Sequence, residues 1–178
     1  MTTITEGLAE LKTLRKRIDK KRESIGQYIA RAEAVRDPLE KQGGSEAHIR
    51  NESQAVEQLE ANYVELRRRI AAANDSTVVT VLGVARPISD WLIWRREIAP
   101  ARQAWLISLR SGIQQLRTKT QQRGGAMISA TATTADTKPD DIVVNIDEAA
   151  LDRETEQLGE ILSTLDGQLS LKNATTEI

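Results

Sequence analysis

Two stretches with apolar residues at every seventh position, separated by the breaker Asp37-Pro38-Leu39-Glu40-Lys41-Gln42-Gly43-Gly44, constrain this chain more than any other feature. In the first, Ile4, Leu11, Ile18, Ile25 and Ala32 recur at heptad spacing, with Leu14, Tyr28 and Val35 three further on. In the second, Ile49, Val56, Tyr63 and Ile70 alternate with Leu59, Leu66 and Ala73. Seams this narrow are buried only by another helix, so the spacing predicts a long antiparallel coiled-coil hairpin. Thr3 and Glu6 suit a capping box at its start. The first helix is expected to run to about Val35, ahead of Asp37-Pro38, and the second to be capped by Ser45 and to reach Ala73. Each arm is then about 45 Å long. Lys21 and Glu52 fall where the seams call for apolar groups, a placement that costs stability but can fix register.

The rest of the composition agrees with thin seams rather than a thick core: of 178 residues none is Phe, aromatics are 3% and charged residues 29%. An elongated, mainly α molecule is expected. There is no Cys, which removes disulfides and thiolate metal sites. The opening Met1-Thr2-Thr3-Ile4-Thr5-Glu6 lacks the basic-then-apolar profile of a signal peptide, and the run Val78 to Ala85 is too short to span a bilayer. The expectation is a soluble chain made in the cytoplasm, with no membrane partner. The 25 basic and 26 acidic side chains nearly balance but are unevenly placed. Residues 76–123 carry eight basic and two acidic groups, whereas residues 126–178 carry three and eleven.

Beyond the hairpin the period changes. Thr77 to Val81 and Val84 to Ile88 flank Leu82-Gly83 and read as a small β-hairpin. Ser89 is expected to cap a third helix that gathers Trp91, Trp94, Ile98, Trp105, Leu109, Ile113 and Leu116 on one face, with a kink or restart at Pro100. A polar linker is expected over 124–141, then a strand at Ile142 to Ile146 and an acidic helix capped by Asp147 and lined by Leu151, Leu158, Leu162, Leu165 and Leu169. This divides the chain into 1–123, the linker 124–141, and a C-terminal arm 142–178 whose acidic helix should dock on the basic 86–123 segment, in the same chain or in a neighbour. Asn74 and Asn173 each precede small polar residues and a β-prone tail, which predicts two helices ending at Asn caps and a C-terminus that pairs with the 77–88 hairpin.

Two groups of residues stand out as candidate contacts. Lys12, Arg15, Lys16, Arg17, Lys20, Lys21 and Arg22 form a basic run diluted by Asp19 and Glu23; it reads as a solvated helix face or as a contact for phosphates, acidic tubulin tails or an acidic protein surface. Trp91, Trp94 and Trp105 read as core between the third helix and the hairpin or as a partner-binding anchor, since Trp is enriched at interface hot spots. His48 stands alone and is read as exposed, and Asp140-Asp141 and Asp147-Glu148 lack the spacing of a calcium loop. Neither a phosphate-cradling Gly-rich loop nor a Gly-x-Ser-x-Gly elbow occurs, so no catalytic, cofactor or metal residue is assigned.

The segments Ile4-Thr5-Glu6-Gly7-Leu8-Ala9-Glu10-Leu11-Lys12-Thr13-Leu14, Lys16 to Glu23, and Ser89-Asp90-Trp91-Leu92-Ile93-Trp94-Arg95-Arg96-Glu97 resemble a family of small coiled-coil proteins that includes the flagellum-linked deflagellation-inducible proteins and uncharacterised bacterial and bacteriophage members. The resemblance covers about residues 3–123 and implies a helical, non-enzymatic interaction protein. Joined to the opposite-sign segments and a polar stretch that orders most easily on neighbours, it leads to the expectation of a virion component such as a capsid cement or decoration protein. Its partners would be capsid or tail proteins or further copies of the chain. The alternative is a cellular module docking on cytoskeletal polymer or nucleic acid through the basic face. Nucleic acid is the less favoured partner because no aromatics interleave those cations.

Overall fold

The computed structural model describes residues 2–129 and 140–178. The elements in order are helix α1 (Ile4–Gln27), a 3-10 turn (Glu40–Gln42), helix α2 (Gly44–Ser76), strands β1 (Val78–Val81) and β2 (Val84–Pro87), helix α3 (Ile88–Ile93), a π turn (Trp94–Ile98), helix α4 (Ala99–Gln122), strands β3 (Met127–Ser129) and β4 (Ile142–Val144), and helix α5 (Glu148–Thr175). The expected mainly α architecture holds, with the helical hairpin, the β-hairpin, the Trp-bearing helix and the C-terminal helix all present. The chain forms two compact units, one of Met1–Val78 with Leu169–Ile178 and one of Val79–Gln168. These divisions differ from the boundaries near 124 and 141 drawn from composition.

In the first unit α1 and α2 pack along the expected seams. Ile4, Leu11, Leu14 and Ile18 are buried with Val56, Leu66, Ile70 and Ala73. The capping box at Thr3 and Glu6 is formed, and the amide and hydroxyl of Thr3 hold the Glu6 carboxyl below its usual pKa. α1 stops at Gln27 instead of Val35. The reason is register: Lys21 pairs with Glu52, so an antiparallel partner for Tyr28 lies near Ser45, in the first turn of α2. Ala32 and Val35 therefore have no facing helix, and Val35 is exposed.

The N-terminus of α2 is also capped differently from expectation. Gly43, in a left-handed conformation, occupies the cap position, and Asp37 supplies the missing acceptor from six residues upstream. Asp37 accepts from the Ser45 amide at 2.8 Å, the Ser45 hydroxyl at 2.6 Å and the Leu39 amide at 2.9 Å. Donors aimed at its charged form, the Ser45 hydroxyl first, lower its pKa to about 2.

Neither Asn74 nor Asn173 caps a helix, since α2 continues to Ser76 and α5 to Thr175. The Ser76 hydroxyl donates to the Ala73 carbonyl and the Thr175 hydroxyl to the Leu171 carbonyl, so these ends are closed by side chains and require no left-handed residue. The C-terminal residues also pair elsewhere than expected. Thr3 and Glu177 form an antiparallel bridge, the Ile4 amide donates to Thr176, and the Ile178 amide donates to Thr2. The β1–β2 sheet remains two-stranded.

In the second unit, Leu82 and Gly83 turn the hairpin, both with positive φ, at 47° and 82°. α3 begins at Ile88 with Pro87 at the cap position, so Ser89 lies inside its first turn and does not cap it. Pro100 stands in the first turn of α4, which begins at Ala99 directly after the π turn, so the α-helical run restarts there as expected. A proline ring lacks the N–H and crowds the carbonyl four residues back, and the wider π turn at Trp94–Ile98 accommodates this.

The π turn adds one residue to the repeat, and that displaces the buried face. Past it the buried positions of α4 are Ala99, Leu106, Ile113 and Thr120, one residue beyond the expected Ile98 and Trp105. They repeat every seven residues, and Ala99, Leu106 and Ile113 meet Leu151 and Leu158 of α5 in one cluster, with Leu165 buried at the next heptad position. α4 and α5 thus form a second heptad-paired helix couple.

Part of the expected linker is ordered structure. Gly124, with positive φ, closes α4. Met127–Ser129 pairs in parallel with Ile142–Val144, Met127 opposite Ile142. A side chain at Gly125 would strike the Asp140 carbonyl, so the Gly124-Gly125 pair serves a helix end and a close backbone crossing. Residues 130–139 of that linker lie outside the described residues.

Candidate interaction surfaces

The basic run on α1 does not act as one patch. Lys21 is half-buried and its Nζ lies 2.9 Å and 3.0 Å from the two carboxylate oxygens of Glu52. Arg22 reaches Glu60 at 2.6 Å. These two cations belong to the hairpin's own closure. Lys12, Arg15, Lys16, Arg17 and Lys20 are exposed and form no ion pair among the described residues. Lys12, Lys16 and Lys20 are four apart and share a face. Beside them a groove of about 860 Å³ opens between the helices, walled by Arg17, Lys20, Ser24 and Gln58 and floored by Ala55 and Leu59.

His48 is half-buried, which corrects its reading as exposed. Its Nε2 is 3.0 Å from the Ser24 hydroxyl, and its ring meets Tyr28 edge-on with centroids 5.1 Å apart.

The three tryptophans do not form one stripe. Trp91 is core: it is 4% exposed, donates from Nε1 to the Val79 carbonyl at 3.0 Å, and carries the Arg86 guanidinium 5.2 Å from its ring centroid. Trp94 is half-buried and edge-on to Trp91, with centroids 5.7 Å apart. Trp105 is 53% exposed. The one-residue shift of the π turn separates them, leaving Ile98 at the end of that turn and Trp105 and Leu116 on α4 as an exposed apolar stripe.

The charge imbalance read from the sequence is realised across α4 and α5. Arg95 pairs with Asp166, Arg102 with Glu154, Arg110 with Asp152 and Arg117 with Glu148. Arginine numbers rise as the acidic numbers fall, so the helices are antiparallel and the acidic helix docks in the same chain. The other acidic pairs have structural uses: Asp141 accepts from the Ala126 amide, and Asp147 caps α5 through the Ala149 amide. Among the described residues no cluster of three or more His, Cys, Asp or Glu could hold a metal ion, and no helix is long and apolar enough to cross a membrane.

Sequence reading missed the exposed face of α4, because a π turn leaves no clear signature beyond the proline that follows it. It also missed the capping role of Asp37, which depends on an eight-residue closure of the chain. None of the known protein-family models, curated proteins or solved structures compared with this chain matches it.

Proposed function

We propose that this chain is a non-enzymatic assembly protein that binds other proteins through the outward face of α4, and in its most specific form a component of a larger particle such as a capsid cement or decoration protein. The observation that carries this reading is the stripe of Ile98, Trp105 and Leu116, at 52%, 53% and 40% exposure. An indole held half in water on a rigid helix, with apolar neighbours about two and three turns away, is the arrangement of an interface anchor. The charged flank toward α5 is already neutralised by ion pairs, so the stripe can be covered without stranding a buried charge. The test is incorporation of the full chain into particles purified from the cells that make it, measured by mass spectrometry. Trp105→Lys should leave helicity unchanged and remove the chain from the particle. Retention at the unsubstituted level overturns the reading.

A second reading rests on a separate observation, the five cations of α1 that form no ion pair among the described residues. In this reading Lys12, Lys16 and Lys20 dock on an acidic polymer, either cytoskeletal or nucleic acid. Replacing all three with Glu should abolish salt-sensitive co-sedimentation while preserving the Lys21–Glu52 and Arg22–Glu60 closures. Undiminished binding by that variant, or binding without salt dependence, excludes it.

A further inference from the structure

The residues that follow α1 carry its pattern without its structure. Ile29-Ala30-Arg31-Ala32-Glu33-Ala34-Val35-Arg36 holds no Gly or Pro, consists mostly of strong helix formers, and keeps the apolar heptad at Ala32 and Val35. None of it is helical, and Ile29 and Val35 stand 74% and 55% exposed. It is folded as a loop instead, with the Val35 amide donating to the Ala32 carbonyl and the Arg31 guanidinium to the Val35 carbonyl. Across this loop, α2 has a second start written upstream of the one it uses. In Asp37-Pro38-Leu39-Glu40 an Asp stands at a cap position, Pro at the first helical position and Glu at the third, the residue types that open a helix. Glu40–Gln42 already forms a 3-10 turn, and Gly43 and Gly44, with φ of 95° and 89°, break it from α2.

We propose that the hairpin has two lengths and that Gly43 and Gly44 are the hinge between them. In the long state both glycines take right-handed helical angles, α2 begins at Pro38, and α1 continues to Val35. Glycine alone crosses freely between the two backbone conformations. The register set by Lys21 and Glu52 carries over unchanged, placing Val35 beside Pro38 and Leu39, and Ala32 beside Lys41 and Gln42. Val35 thereby gains an apolar neighbour. The two states exclude each other through one residue. Asp37 accepts from the Ser45 amide and hydroxyl in the short state, whereas eight residues of continuous helix would set it about 12 Å from Ser45. There it serves the free amides of its own helix start instead. The exchange moves the tip of the hairpin by about two helical turns, and it is independent of the assembly reading above.

Gly43→Ala combined with Gly44→Ala discriminates the two states, because alanine fits the long one and is strained at the positive φ of the short one. Far-UV circular dichroism of the full chain should show a gain of about 14 helical residues, with a cooperative thermal transition retained. Helicity that does not rise overturns the proposal. Ser45→Ala removes a hydroxyl donor that the short state alone uses, so helicity should rise there too; a fall, or no change, overturns it. The chain has no Cys, which allows paired spin labels to be placed without background. Labels on Arg36→Cys and Glu57→Cys, both exposed positions, should report a second separation about 12 Å longer than that of the short state, with a share that grows in the double-alanine variant. A single short separation in the parent and in that variant overturns the proposal. Should the alanine pair prevent folding, the same labels in the Ser45→Ala chain decide, and a single short separation there is the overturning result.

Discussion

Lys21 and Glu52 interrupt the apolar seams of α1 and α2 at the same layer, and each satisfies the other, with the ammonium 2.9 Å from the carboxylate. Their side chains keep 32% and 21% of their exposure, so the pair is partly desolvated. A seam built this way penalises any register that puts either charge against an apolar residue.

Removing one partner should therefore cost more than removing both. Glu52→Leu alone leaves a half-buried ammonium unpaired and should destabilise the fold by about 1–3 kcal/mol. The double variant Lys21→Leu with Glu52→Leu should recover most of that loss or exceed the stability of the parent. Urea denaturation of the four proteins of the cycle measures the coupling, and additive single effects would contradict it.

Asp37 gives the hairpin an acid-sensitive end. Its pKa falls from 3.8 to about 2 on folding, because the Ser45 hydroxyl and amide and the Leu39 amide stabilise the charged form. A depressed carboxyl pKa contributes stability that is fully present above the unfolded value and is lost as pH falls through the folded value. The midpoint difference between the parent chain and Asp37→Asn should be constant above pH 4 and shrink between roughly pH 4 and pH 2. A difference that does not change over that window would show that the cap contributes nothing through charge.

Leu82 occupies a left-handed position of the β1–β2 turn with φ of 47°, a conformation that costs a branched side chain about 1–2 kcal/mol. It is also 46% exposed, so little burial is at stake. Leu82→Asn, giving the Asn-Gly pair preferred in such turns, should raise stability by about 0.5–1 kcal/mol in thermal unfolding. A lower melting temperature would mean that Leu82 makes packing contacts worth more than the strain.

Gly7 and Gly26 lie in the same helix with different surroundings. A Cβ at Gly7 would sit 2.4 Å from Ile178 Cδ1 and 3.3 Å from Ile70 Cδ1, whereas one at Gly26 meets nothing within 4 Å. Gly26→Ala should stabilise by up to about 1 kcal/mol through helix propensity. Gly7→Leu should destabilise by about 1–3 kcal/mol and speed amide exchange at Ile4 and Ile178 by forcing the C-terminal residues off α1. Equal effects at the two sites would show that the C-terminal clasp is not seated on Gly7.

Whatever rests on short-range periodicity is legible in the order of the amino acids. Heptad spacing located both arms of the first hairpin, the Thr3–Glu6 box located its start, the Leu82-Gly83 pair located the β-turn, and the leucines of α5 announced a helix needing a partner. The opposite charges of 76–123 and 126–178 identified α4 as that partner, because long-range complementarity is visible in composition. Where each periodic run stops being buried depends on the folded path of the chain. α1 ends when α2 has no residue left to face it, although Ala32 and Val35 keep the period. The tryptophan stripe divides because one extra residue in the π turn rotates everything after it by about 100°, burying Ala99 and Leu106 and turning Ile98 and Trp105 outward. The C-terminal residues pair with Thr2, Thr3 and Ile4 and leave β1 and β2 alone, a choice between backbone acceptors that no side-chain pattern encodes. A period fixes which residues share a face, but burial depends on what lies opposite that face, and that is set by the path of the whole chain.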